Sequence, residues 1–158
     1  MLIDVKGANP TQKKYITSVV KFCAKKLMPR MYNLHIKVHL KSLQKDDVYG
    51  YCLADPDSEA ERSDRPRVFE IEVHKHMRMR RLLETICHEM VHAKQYARGE
   101  LYESSRVNKH RWHGKWLNKD PEYWDQPWEI EAHGREAGLF IRWAESEKLG
   151  KRKWTWDS

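Results

Sequence analysis

Two histidines one helical turn apart, with a glutamate between them, are the residues of this chain best suited to chemistry. They are His88, Glu89 and His92 in the run HEMVH. On a helix, imidazoles at positions i and i+4 face the same way, so both can reach one metal ion at about 2.0–2.1 Å from each ring nitrogen. Glu89 is turned about 100 degrees from His88, beside such an ion, where a base can take a proton from a coordinated water. The spacing predicts a hydrolytic metal site.

The segment around this run predicts a buried helix. Residues 80–98 read RRLLETICHEMVHAKQYAR, with no glycine or proline. A helical wheel gathers its apolar side chains on one broad arc: Leu83, Ile86, Cys87, Met90, Val91 and Ala97. His88 and His92 lie on the remaining side, so the helix can present them rigidly to a cleft.

The HExxH pattern resembles that of the zincin metallopeptidases, and the likeness extends over about residues 48–145. This resemblance implies one Zn²⁺ per chain and a protein or peptide substrate whose amide bond is hydrolysed. Glu89 is then the general base, while His88 and His92 hold the metal. A catalytic zinc keeps three protein ligands and one open position, so a third ligand must come from elsewhere in the chain.

The first candidate for the third ligand is Glu129, in the segment QPWEIEAHGREAGLFIRWAE. Pro127 suits the opening turn of a helix, and a helix starting there carries Glu129, His133 and Glu136 on one face. The segment resembles the gluzincin branch, in which a glutamate ligand precedes a supporting aspartate by one turn. Glu129 matches that ligand, whereas His133 stands at the aspartate position. His133 is therefore the second catalytic candidate, either as a support for the ligands or as an oxyanion stabiliser.

The second candidate is His113, in RWHGKWL. HEMVHA followed by HGxxW also resembles the SprT-like proteases, in which a His-Gly pair supplies the third ligand. Glu129 is favoured because a helix holds it, whereas His113 lies in a stretch interrupted by glycine and asparagine. The oxyanion stabiliser stays open among His133, His113, Tyr96 and Tyr123.

The elements that position these residues follow from hydrophobic patterns. Asn9 and Pro10 read as an N-cap and first helical residue, and apolar residues at helical spacing continue to a break at Pro29. Residues 34–41 alternate between apolar and polar side chains, and 48–54 and 67–73 are rich in β-branched and aromatic residues, so all three predict strands. The polar stretch 55–66 between the last two predicts a loop.

These elements predict an α+β fold. We expect a minimal zincin arrangement: an N-terminal helix, a small mixed or antiparallel sheet, the HExxH helix, a long connection and a C-terminal helix that carries the third ligand. Residues 1–147 form one metallopeptidase domain, and residues 148–158 form a short basic tail with two tryptophans that either docks or stays mobile. The site lies between the last two helices, and an edge strand, 48–54 or 67–73, would pair with an extended peptide.

Charge and cysteine content bear on partners and compartment. The formal net charge is +7, and residues 1–45 carry ten Lys or Arg against the single acid Asp4. Lys14, Lys21 and Lys25 form a stripe that is either a nucleic-acid surface or, as we favour, a solvated face. Three cysteines without a CxxC pair, and no apolar leader or spanning stretch, favour a cytoplasmic protein outside the membrane.

Three functions follow from the sequence. The first is a zinc metalloendopeptidase with Glu89 as general base. The second is an SprT-like protease that uses the basic N-terminal region to sit on DNA. The third is a binding module that kept the fold and lost catalysis.

Overall fold

The computed structural model describes residues 1–43, 49–58 and 63–157. It is an α+β fold with three helices and two sheets, which confirms the predicted class. The helices are α1 (Pro10–Leu27), α2 (Met79–Ala97) and α3 (Pro127–Ser146). The main sheet contains β1 (Leu2–Lys6), β2 (His35–Lys41), β3 (Gly50–Ala54) and β4 (Val68–His74), and the small sheet contains β5 (Leu101–Ser104), β6 (Lys109–Trp112) and β7 (Lys115–Trp116).

Helix α1 begins where the sequence predicts it. The Asn9 side chain accepts from the Gln12 backbone N–H at 2.8 Å, and the Gln12 side chain accepts from the Asn9 backbone N–H at 2.9 Å. This reciprocal pair satisfies two backbone donors that a helix start leaves open. The helix ends at Leu27, just before Pro29, and buries its apolar side against the rest of the core.

The main sheet has the order β1-β2-β4-β3. Strands β1, β2 and β4 are parallel, and β3 lies antiparallel to β4 at the edge. Strand β4, predicted over 67–73, is therefore internal and cannot pair with a peptide, whereas β3, predicted over 48–54, is an edge strand. Val48 lies outside the described residues, as do residues 59–62 of the predicted loop.

Strand β1 is a strand that the sequence analysis did not predict. Its five residues alternate, with Ile3 and Val5 packed against the core and Asp4 facing outward. Asp4 contacts the ring Nε2 of His35 on β2 at 2.7 Å. So short a segment before Gly7 carries little pattern of its own, and its pairing with β2 supplies the structure.

Helix α2 is the centre of the molecule. It packs against α1, α3 and the main sheet, and all six residues of the predicted apolar arc are fully buried. Gly99 ends the helix with a positive φ of 71°, which lets the Glu100 N–H reach the Gln95 carbonyl at 2.8 Å. Core packing therefore holds the helix along its length, and with it the groups that the helix presents to the cleft.

The connection between α2 and α3 is more ordered than the sequence predicts. It forms the antiparallel strands β5, β6 and β7, followed by a 3₁₀ turn over Tyr123–Asp125 that leads into α3. His113 has a φ of 47° in the turn between β6 and β7. This small sheet stands beside the cleft between the two helices.

The end of the chain packs on the domain. Leu149 is buried, Trp154 contacts the core, and the Arg80 guanidinium donates to the Thr155 carbonyl at 2.6 Å. Trp156 is 72% exposed, and Ser158 lies outside the described residues. Across the described ranges, no helix combines the length and the apolar character needed to cross a membrane.

Candidate metal centre

Three predicted ligands meet between α2 and α3. The ring Nε2 atoms of His88 and His92 lie 3.0 and 3.1 Å from the carboxylate oxygens of Glu129. One donor atom from each of the three residues falls within 4.8 Å of the others. Both histidines are buried and Glu129 is half-buried, and all three line one cleft. The structure therefore contains a buried His/His/Glu group positioned to bind a metal ion.

The second nitrogen of each imidazole has its own partner. His88 Nδ1 lies 2.9 Å from the Glu136 carboxylate, and His92 Nδ1 lies 2.8 Å from the Gln95 side-chain oxygen. Both partners accept hydrogen bonds, so each Nδ1 carries a proton. A proton on Nδ1 leaves Nε2 as the nitrogen with which each ring can bind a metal.

The carboxylates around the two imidazoles make the site prefer a cation. Burial lowers the pKa of His88, but hydrogen bonds to Glu129 and Glu136 outweigh it and raise that pKa to about 10. Burial also opposes protonation of His92, yet the bond to Glu129 raises the pKa of His92. Burial would raise the pKa of Glu129, but the two imidazoles hold it well below its usual range. Positive charge placed among these groups is therefore stabilised.

Glu89 lies beside the ligand group and does not belong to it. Its side chain is buried, and burial raises its carboxyl pKa despite the lowering effect of the neighbouring His92 and His88. The carboxylate faces Gly50 of β3, where a Cβ atom would stand 3.3 Å from Glu89 Oε1 and 3.0 Å from Thr85 Cγ2. Glycine at this position lets the edge strand pass close over the carboxylate. A buried carboxyl with a raised pKa is suited to proton transfer near neutral pH.

Tyr123 and His133 adjoin the third ligand. The Tyr123 hydroxyl lies 3.0 Å from Glu129 Oε1 and 2.8 Å from His133 Nε2, and His133 Nδ1 lies 3.1 Å from Glu136. Burial and the neighbouring Glu129 raise the pKa of Tyr123, so its phenol stays protonated and can donate. Of the four oxyanion candidates, these two touch the ligand group.

The other two oxyanion candidates lie farther out. Tyr96 lines the same cleft, at the end of α2. His113 is exposed in the β6–β7 turn and belongs neither to the cleft lining nor to the ligand group, so Glu129 and not His113 stands beside the two histidines. A second potential ligand group, His88, His133 and Glu136, shares His88 with the first.

A cleft of about 730 Å³ opens over these residues. Strand β3 and the residue before it line one side through Tyr49, Gly50, Tyr51 and Cys52. The opposite side comes from α3 and the turn before it, where Trp128 is buried and Trp124 is 72% exposed at the mouth. His110 also lines the cleft, with its ring stacked on Trp128 at 5.0 Å. Aromatic side chains therefore form much of the wall of the cleft.

The lysine stripe of α1 lies away from the cleft. Lys14, Lys21 and Lys25 are exposed and line a shallow groove, where Glu147 places a negative charge beside them. Glu147 also accepts a hydrogen bond from Ser18 at 3.0 Å. Nucleic acid as a partner stays a prediction from charge.

Two residues of the site had no role in the sequence analysis. Glu136 lies on the predicted face of α3, and its contact with His88 could be inferred only by docking that face on α2. Gln95 follows His92 by three residues on the same helix, and no motif marks it.

Compared with protein-family models, curated proteins and solved structures, the chain matches none.

Proposed function

We propose that this protein is a zinc-dependent metallopeptidase. The observation that carries the proposal is the convergence of His88 Nε2 and His92 Nε2 on the Glu129 carboxylate at 3.0 and 3.1 Å, with both Nδ1 atoms bonded elsewhere. Two imidazoles and one carboxylate form a ligand set typical of catalytic zinc. The antiparallel strand β3, which packs against the HExxH helix and lines the cleft, supports the proposal.

His88, His92 and Glu129 would hold the metal. Zinc bound there would supply Lewis acidity, lowering the pKa of a coordinated water toward about 7 and polarising a carbonyl. All other steps belong to side chains of this chain. The fit is chemical as well as geometric, because the site combines two imidazole nitrogens, which a metal would bind in place of their protons, with a carboxylate oxygen beside the cleft.

Glu89 is the general base in this proposal. It takes a proton from the attacking water and delivers that proton to the nitrogen of the leaving amine, so that the C–N bond breaks without forming an amide anion. Its raised pKa favours the first half of this cycle, in which the carboxylate accepts the proton.

Strand β3 would place the substrate. It is the last strand of the main sheet among the described residues and lines the cleft, so an extended peptide would lie along it. The carbonyl oxygen of the scissile amide becomes negative in the transition state. Tyr123 and His133, on the far side of Glu129, are the donors that would stabilise it.

The test is a change at Glu89 alone. Glu89→Gln keeps the size of the side chain and removes the base, so it should retain zinc and lower cleavage by about 10²–10⁴-fold. Cleavage is measured on a mixed-sequence peptide library by mass spectrometry, with zinc-loaded and chelator-treated wild type in parallel. A mixed-sequence library reveals cleavage even when the enzyme accepts only a narrow range of peptide sequences.

The matched control is Glu145→Gln, which makes the same chemical change on the exposed end of α3. It should cleave like wild type. A Glu89→Gln variant that cleaves as well as wild type would show that the base is assigned wrongly. Wild type that binds zinc and cleaves no library peptide would contradict the peptidase and favour a binding module.

A further inference from the structure

Gln95 is a fully buried polar side chain one turn beyond His92 on α2. Its oxygen lies 2.8 Å from His92 Nδ1, and its nitrogen donates at 2.9 Å to the Trp128 carbonyl and at 2.9 Å to Glu131 Oε1. One of these three partners is a ligand histidine on α2, and the other two belong to α3. Both N–H donors of this amide and one acceptor site of its oxygen are therefore in use.

The two acceptors on α3 fix the orientation of the amide. A backbone carbonyl and a carboxylate cannot donate, so the NH₂ group of Gln95 must face Trp128 and Glu131. Its oxygen then faces His92, and the only complementary state of the imidazole has a proton on Nδ1. The opposite tautomer would set the Nδ1 lone pair against the amide oxygen.

Glu131 is held in place as an acceptor. Lys94 is buried with its ammonium group 2.7 Å from Glu131 and 2.7 Å from Glu100, and Arg135 lies 3.2 Å from Glu131. With these two cations beside it, Glu131 accepts a hydrogen bond from Gln95 and lies outside the ligand group.

We propose that Gln95 is the positioning residue of the metal centre: it selects the His92 tautomer that offers Nε2 and ties α2 to the turn of α3 that carries Glu129. Trp128, whose carbonyl it binds, directly precedes that ligand in the chain. This inference rests on the proposed metal function. It assigns to one buried amide the geometry of two of the three ligands.

The experiment measures zinc affinity by competition with a chromophoric chelator, on the full chain. Gln95→Leu keeps the volume and removes all three hydrogen bonds, and its zinc affinity should fall about 10–100-fold, as for loss of a partner that orients a ligand. Val20→Ala, in the core of α1, is the control for lost stability and should bind zinc like wild type.

Rescue separates positioning from packing. The double change Gln95→Glu with Glu131→Gln exchanges the carboxylate and the amide, keeps the net charge and restores an acceptor for His92 Nδ1, but it leaves the Trp128 carbonyl without its donor. It should therefore recover part of the zinc affinity and bind zinc several-fold more tightly than Gln95→Leu. A double variant as weak as Gln95→Leu would overturn the proposal, as would a Gln95→Leu variant that binds zinc no more weakly than Val20→Ala.

The tautomer is read directly in wild type, so the inference stays testable even where Gln95→Leu fails to fold. Long-range ¹H–¹⁵N spectra of the zinc-loaded protein should show a protected Nδ1–H on His92. A proton on Nε2 instead would refute the assignment. Zinc binding with the expected tautomer but no peptide cleavage would contradict the proposed function and leave the role of Gln95 standing.

Discussion

The two helices that build the site hold their functional groups in different ways. Fourteen of the 19 residues of α2 are buried, including His88, Glu89 and His92. Only five of the 20 residues of α3 are buried, and Glu129 is not among them. Packing therefore positions the groups of α2, whereas hydrogen bonds to the imidazoles and to Tyr123 position Glu129.

Substitutions in the two helices should therefore have different effects. A change in the middle of α2 removes core contacts and should affect the fold as well as the site. A change at the polar face of α3 leaves most core contacts intact and should affect the site alone. Substitutions with the same effects in both helices would contradict this distinction.

The largest expected effect is on zinc binding through α3. Glu129→Ala removes a ligand and should weaken zinc affinity by at least about 100-fold, beyond what loss of an orienting partner costs. His113→Ala, in the exposed β6–β7 turn, should bind zinc like wild type. Equilibrium dialysis followed by elemental analysis measures both. Loss of zinc in His113→Ala with retention in Glu129→Ala would move the third ligand to the SprT-like position.

The next effect is on stability through α2. Met90→Ala empties a fully buried position and should lower the free energy of unfolding by about 2–5 kcal/mol. Ile141→Ala, at a position of α3 that is 44% exposed, should change it by less than about 0.5 kcal/mol. Urea unfolding of the zinc-free proteins gives both values. Equal losses would mean that α3 is packed as tightly as α2.

A smaller effect is the pH dependence of zinc uptake. Burial alone would lower the pKa values of His88 and His92, but Glu129 raises both, that of His88 to about 10. Protons therefore compete with the metal, and apparent zinc affinity should rise about tenfold per pH unit for each proton displaced. Calorimetry in buffers of different ionisation enthalpy counts the released protons. Affinity that stays constant between about pH 6 and 8 would contradict the raised values.

The same raised pKa fixes the sign of a stability effect. A group whose pKa is higher in the folded chain stabilises it most below the unfolded value, 6.5 for histidine. That contribution of His88 is lost as the pH rises through about 10. The zinc-free protein should therefore become less stable on the alkaline side of neutrality, which thermal unfolding across that range would measure.

The smallest effect expected is at the contact between β3 and α2. Gly50→Ala places a methyl group 3.0 Å from the Glu72 carbonyl oxygen of β4, 3.0 Å from Thr85 Cγ2 and 3.3 Å from the Glu89 carboxylate, so these neighbours must give by a few tenths of an ångström. Peptide cleavage should fall by a few-fold to about tenfold, because small displacements of a catalytic group are costly, with zinc affinity unchanged. Cleavage and zinc titration on one preparation separate the two. Unchanged cleavage would contradict the placing of Glu89 beside this strand.

Much of this architecture could be predicted from local pattern. The start of α1 at Asn9 and Pro10, the alternation of β2 and the apolar arc of α2 are each written within one short segment. The strands that the sequence analysis did not predict have no such pattern. Strand β1 is five residues long, and β5 to β7 are strands of two to four residues whose order comes from pairing with one another.

The amino-acid pattern was enough to place His88, Glu89 and His92 on one helix, because the apolar residues around them recur at helical spacing. The packing of α2 against α3 decided that Glu129 and not His113 meets the histidines. It also decided that the Nδ1 atom of His88 bonds to Glu136. The reason is physical: positions within a helix are fixed by local backbone geometry, whereas a contact between α2 and α3 depends on how two surfaces more than thirty residues apart in the chain pack together.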